Sequence, residues 1–159
     1  MSLSLSGFSA YLQTALLNHL FGTPPYSQPL LMCVGLFSTL PGSDGTGGVE
    51  PPGGGYARIV FRSFTAPSGA PPSVANSGQI QWAAATAAWP NVVGAGVFES
   101  PSSANLLAFG NLVSPADGVT PVSVPVGIGD VLRIGVGNLV IGFSPAGPGG
   151  LMALRAIVA

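Results

Sequence analysis

Lysine is absent from this sequence, and four arginines against five acidic residues leave a formal net charge of -1. So few and so scattered cations give no basic patch, which excludes the long-range attraction that nucleic-acid binding depends on. A single cysteine, Cys33, excludes an internal disulfide. It lies in the apolar run Leu30–Phe37, where a thiol acts as a small buried hydrophobe rather than a nucleophile. His19 is the only histidine, and it falls beside Leu16 and Leu20 on an apolar helical stripe, the setting of a packed or cap-proximal imidazole. One histidine, one cysteine and five separated carboxylates form no zinc pattern, no EF-hand spacing and no acid–base or nucleophilic cluster, so an enzyme is not expected. No stretch approaches the ~20 continuous apolar residues of a membrane helix, and no basic region precedes the first apolar residues as in a secretory signal. Fixed-period repeats and heptads are missing too, which argues against a fibrous shaft.

What remains is apolar and broken by turns. Hydrophobic residues make up 47% of the chain, and 24 glycines and 16 prolines divide them into short runs. At 159 residues the chain is long enough for one domain with a core of its own. With little charge to keep copies apart, much of its surface is expected to be covered by neighbouring protein.

The organising stretch is residues 89–112. Two uncharged apolar runs, Val92–Phe98 and Leu106–Leu112, flank the polar segment Glu99–Asn105, and this spacing predicts a hairpin in the middle of a sheet. Ahead of it, residues 9–21 predict the one helix, capped by Ser6 or Ser9, with Leu12, Ala15, Leu16, His19 and Leu20 at helical spacing and Gly22-Thr-Pro-Pro25 as the stop. Such a short helix must cover the end of a sheet or dock on a neighbour. Leu30–Thr39 predicts a strand buried on both faces. Leu40–Gly55 predicts a long Gly/Pro loop, an arm that orders on assembly.

Tyr56–Phe64 alternates: Ala57, Ile59 and Phe61 point one way, and Tyr56, Arg58, Val60, Arg62 and Phe64 the other, a candidate exposed interface. A turn-rich segment, 65–77, precedes a short strand around Gln79–Ala83 that puts Ile80 and Trp82 on one face. Val119–Val126 predicts an edge strand because of Pro121 and Pro125. Val131–Val136 and Leu139–Phe143 predict a second hairpin about Gly137-Asn138, and Leu151–Ala159 a final strand or tail.

The pattern of eight to nine short strands and one helix gives a mainly β domain, a two-layer antiparallel β-sandwich or jelly-roll-like fold. Its expected divisions are residues 1–25 (helical), 26–143 (sandwich) and 144–159 (strand or assembly tail). Asp44, Glu50, Asp117 and Asp130 sit in turns where carboxylates cap backbone N–H groups, with a calcium ion bridging loops as the alternative. Glu99 is expected to pair with an arginine or face solvent. The string Gly45-Thr-Gly-Gly48 and Gly53-Gly-Gly55 lacks a P-loop lysine and supplies flexibility. Trp82 and Trp89 are expected to be core or interface anchors, with a sugar-binding face as the alternative. No cofactor is implied.

Several segments together carry a resemblance. They are Ala15-Leu-Leu-Asn-His-Leu-Phe-Gly22, Val34-Gly-Leu-Phe-Ser-Thr-Leu-Pro41, Gly53-Gly-Gly-Tyr-Ala-Arg58 and Asn76-Ser-Gly-Gln-Ile80. Further on come Ala85-Thr-Ala-Ala-Trp89, Gly96-Val-Phe98, Asn105-Leu-Leu-Ala-Phe-Gly110 and Gly129-Asp-Val-Leu-Arg-Ile134. From about residue 10 to residue 143 the chain resembles small bacteriophage virion proteins of the tail-fibre-like family. The resemblance implies a non-enzymatic virion component with a helix and a β-rich domain, and a structural role for Gly54, Gly55, Tyr56 and Arg58.

Compact size and the lack of a shaft favour a capsid decoration or cement role on the major capsid protein. The alternatives are a tail-fibre or baseplate adaptor, or a glycan- or receptor-binding tail module. The expected partners are its own copies, as a trimer, and virion proteins, without nucleic acid or membrane. The expected contact residues are Tyr56, Arg58, Val60, Arg62 and Phe64, with Leu151, Leu154 and Ile157 of the tail.

Overall fold

In a computed structural model of the chain, the described residues are 7–143 and 152–158. The elements in chain order begin with β1 (Gly7–Phe8), α1 (Ala10–Phe21), β2 (Cys33–Phe37), β3 (Ile59–Val60), β4 (Ser73–Ala75) and β5 (Ile80–Gln81). They continue with β6 (Trp89–Val92), β7 (Gly94–Phe98), β8 (Leu106–Val113), β9 (Val124–Val126), β10 (Arg133–Phe143) and β11 (Met152–Val158). The chain is therefore β-rich with one N-terminal helix.

The hairpin β7–β8 lies at the centre of the main sheet, whose order is β3-β2-β7-β8-β11-β10-β4, with β1 also on β8 and β5 on β10. Every residue of β2, β7 and β8 is buried, which accounts for their uncharged, glycine-containing sequences. One pairing departs from the antiparallel sheet expected: β11 runs parallel to β8, through Ala156↔Leu112 and Ile157↔Val113, and antiparallel to β10. The last strand thus lies inside the sheet of its own chain. A separate two-stranded sheet pairs β6 with β9. One hydrophobic core gathers Leu36 of β2, Ile80 of β5, Trp89 of β6, Leu112 of β8, Val126 of β9 and Leu139 of β10. A smaller one holds Cys33, Phe37, Phe98, Leu106 and Phe109.

Ser9 fixes the start of α1. Its hydroxyl accepts from Leu12 N at 3.2 Å and donates to the Leu106 carbonyl, while its own N–H reaches Leu107 O at 3.0 Å. The helix is tied to the sheet at this end alone. None of its residues is buried: Leu12 and Ala15 are half-buried, and Leu16, His19 and Leu20, expected to pack, face out. His19 sits in the last turn, where a cation complements the helix dipole.

Three further expectations are corrected. Tyr56–Phe64 is not one strand; only Ile59–Val60 pairs, because the flanking residues bond to loops instead. The segment 131–143 is not a hairpin about Gly137-Asn138, since Arg133–Phe143 is one strand with a register shift between Ile134 and Leu139. Loop 40–55 is not a free arm. Thr39 N and Val49 N exchange bonds with each other's carbonyls, Gly42 N reaches Thr46 O, and the Asp44 carbonyl accepts from Ala10 N. The short β4 falls within a segment read as turns; it forms because β10 offers Val140–Gly142 as its partner.

Candidate functional site

The Gly-Gly-Tyr-Ala-Arg segment builds a latch between three loops and the edge of β2. Gly54 has φ +62°, and a side chain there would lie 2.9 Å from the Trp89 ring, so glycine is required twice over. Its carbonyl accepts from Trp89 Nε1 at 2.9 Å and from Thr86 N at 2.9 Å. Past its short pairing with β3, the edge of β2 is closed by a side chain: the Tyr56 hydroxyl accepts from Leu36 N at 2.8 Å and donates to Glu50 Oε2 at 2.6 Å. Burial first, and the Glu50 bond second, hold the Tyr56 hydroxyl above the ordinary tyrosine range.

Arg58 completes the latch. Nε and Nη2 grip Glu50, at 3.0 and 2.6 Å to Oε1, while Nη1 donates to Ser103 O at 2.6 Å and Ser100 O at 3.3 Å. The guanidinium carbon lies 3.4 Å over the Phe98 ring. Burial works against the Arg58 charge, but Glu50 outweighs it and raises the pKa. Gly35 makes the space: a Cβ there would meet Phe98 Cε2 at 2.8 Å and both Glu50 Oε2 and the Tyr56 hydroxyl at 3.0 Å. Gly35→Ala is accordingly expected to lower stability by about 1–3 kcal/mol, measured by urea unfolding. A loss below a few tenths would show that the latch moves aside freely.

Tyr56 and Arg58 thus turn inward, whereas Val60 is exposed and the exposed Arg62 donates to Leu30 O at 3.0 Å. Phe64 is half-buried edge-on to Phe61 at 5.5 Å. Leu151 lies outside the described residues. Leu154 and Ile157 belong to β11, paired through the backbone with Ile141 and Val113. Sequence reasoning missed Glu50 as the partner of Arg58, and a neutralising acid near the Gly-Gly-Tyr-Ala-Arg motif was the available signal. It missed Glu99 as well, which neither pairs with an arginine nor stands free: it accepts from Tyr11 at 3.0 Å and Asn105 at 2.6 Å.

The turn carboxylates cap backbone as expected. Asp44 accepts from Thr46 N, Asp117 from Val119 N and Thr120 N, and Asp130 from Gly127 N. The bonds from Thr120 and Val119 hold Asp117 down to about 2. Among the described residues no three His, Cys, Asp or Glu side chains converge on a metal site. Cys33 is buried, and burial pushes its thiol up, away from reactivity. Trp82 and Trp89 are 1% and 6% exposed, which rules them out as a sugar-stacking face.

The conspicuous surface is apolar. Leu17, Leu20 and Phe21 of α1 are 59%, 69% and 83% exposed, and Leu30 and Leu31 just beyond it are also exposed. Apart from His19 the helix carries no titratable cation or carboxylate. Among curated proteins nothing matches the chain. The family described as Podophage GP4 fiber I protein gp80 matches residues 7–142, which take in both the helix and the latch. The chain belongs to this podophage fiber I protein family, and is a non-enzymatic, fibre-type structural protein of the phage virion.

Proposed function

We propose that the protein is a tail-fibre or baseplate adaptor component, built into the virion by burying the exposed apolar side of α1 against neighbouring protein. The observation that carries this is the helix itself. Its one firm attachment is at Ser9, and its far half presents leucine and phenylalanine to solvent in a chain with few charges to keep neighbours away. The fibre-type family favours the tail over the capsid decoration role that size alone suggested. Own copies in a closed ring, a trimer first, are the partners, alongside tail or baseplate proteins. Val60, Arg62 and the 151–157 segment are secondary contacts. A two-layer sandwich is the architecture we infer, since strands from both ends of the main sheet share one core with the small sheet.

Burying Leu17, Leu20 and Phe21 is worth about 5–8 kcal/mol in total at the usual value per side chain. The triple variant Leu17→Ser, Leu20→Ser, Phe21→Ser is therefore expected to keep its unfolding midpoint, yet to elute as monomer and to be missing from purified particles. Normal copy number of the variant in particles would overturn the helix as the assembly face. Localisation on the shell by electron microscopy would overturn the tail placement.

A further inference from the structure

A cleft of 660 Å³ opens between one face of α1 (Tyr11, Thr14, Ala15, Asn18), the Pro24–Ser27 loop and Glu99 at the end of the central hairpin. That is the size range of small-ligand sites. Positions 11, 14, 15 and 18 form one stripe of the helix, and Leu16, Leu17 and Leu20 lie round the other side, so cleft and assembly face do not compete. We propose that this cleft binds a neutral, hydroxyl-rich saccharide unit, with Glu99 accepting from the sugar and the Tyr26 hydroxyl donating to it.

Polarity selects the ligand class. Glu99 is the one charged residue lining the cleft, and no arginine or histidine does, so an anionic ligand such as a uronic acid or a phosphate is disfavoured. The carboxylate already accepts from Tyr11 and Asn105, and its remaining lone pairs face further donors. Tyr26 supplies the complementary group: its hydroxyl is buried and has no hydrogen-bond partner among the described residues. Burial, with the Glu99 charge behind it, pushes the Tyr26 hydroxyl up to about 12, so its proton stays in place to be donated. A protonated amine offers donors only and leaves that phenol unmet. A sugar hydroxyl both donates and accepts, and Thr14, Asn18 and Ser27 add further groups of mixed sense at the rim.

The test is saturation-transfer NMR on the full-length protein with three probe sets: neutral hexoses and their disaccharides, glucosamine, and glucuronic acid. Neutral probes are expected to show transfer while the other two do not. Tyr26→Phe, which removes one oxygen, should weaken the best neutral probe about fivefold, as for one lost hydrogen bond. Thr14→Arg, at an exposed cleft position, should abolish binding while leaving the unfolding midpoint and the assembly state unchanged. No transfer from any neutral probe would overturn the proposal. So would a preference for glucosamine or glucuronic acid, or neutral binding indifferent to both variants. The assembly reading stands or falls separately, on the Leu17, Leu20 and Phe21 variant.

Discussion

Replacing Asn76 by alanine is expected to cost the folded chain about 3–5 kcal/mol, the sum of several buried groups left unpaired at roughly 1–3 kcal/mol each. Asn76 is fully buried between β4 and β5, which both pair with β10 and leave a gap in its ladder between Ile134 and Val140. The asparagine fills that gap. Its Nδ2 donates to Gly78 O at 2.7 Å and to Gly135 O at 2.8 Å, and its Oδ1 accepts from Leu139 N at 2.8 Å. Its backbone continues the pattern, with Asn76 N on Leu139 O at 3.0 Å and Gly137 N on Asn76 O at 2.9 Å.

Alanine would strand one amide and two carbonyls in a region where Leu139 and Ile134 are also fully buried. Asn76→Asp, which keeps the acceptor but replaces the donor with charge, should be no better. Thermal unfolding gives the measure: a fall of about 10 °C or more is expected for a domain of this size. A fall of only 2–3 °C would mean that water replaces the side chain there.

Glu50→Ala is expected to lose about 2–4 kcal/mol, somewhat less than for a fully buried ion pair because the Arg58 and Glu50 side chains are 15% and 23% exposed. The loss exceeds that of a surface pair because Arg58 would remain over the Phe98 ring with only the Ser100 and Ser103 carbonyls to face, and Tyr56 would lose its acceptor. Arg58→Lys should not rescue. A lysine cannot hold Glu50 and two loop carbonyls through one planar fork. A double-mutant cycle of Glu50→Ala and Arg58→Ala, read by urea unfolding, should give a coupling of about 1–3 kcal/mol. Additive single effects would show the two residues acting independently.

The central hairpin was legible because both arms are apolar and the polar interval between them is the right length for a loop. The helix was legible from Ser9, its spacing and the Gly-Thr-Pro-Pro stop, and the fibre-type family from motifs spread along the chain. Less visible was whatever depends on a distant partner. The segment 56–64 alternates as a strand does, yet Tyr56 and Arg58 are claimed by Glu50 and by loop carbonyls some forty residues away. Gly137-Asn138 has the look of a hairpin turn, but the bonds that keep β10 extended past it come from Asn76.

By itself the sequence determined that this is a β-rich chain with one helix, few charges and no catalytic cluster, because alternation, capping and composition are local properties. Only the tertiary structure decided which polar side chains are structural and which surfaces are left over. Arg58 looked like a contact residue and is a latch, while the helix looked like a core element and is largely exposed. The reason is that a side chain's role is set by the partner the fold brings to it, and spacing along the chain does not encode how far away that partner lies.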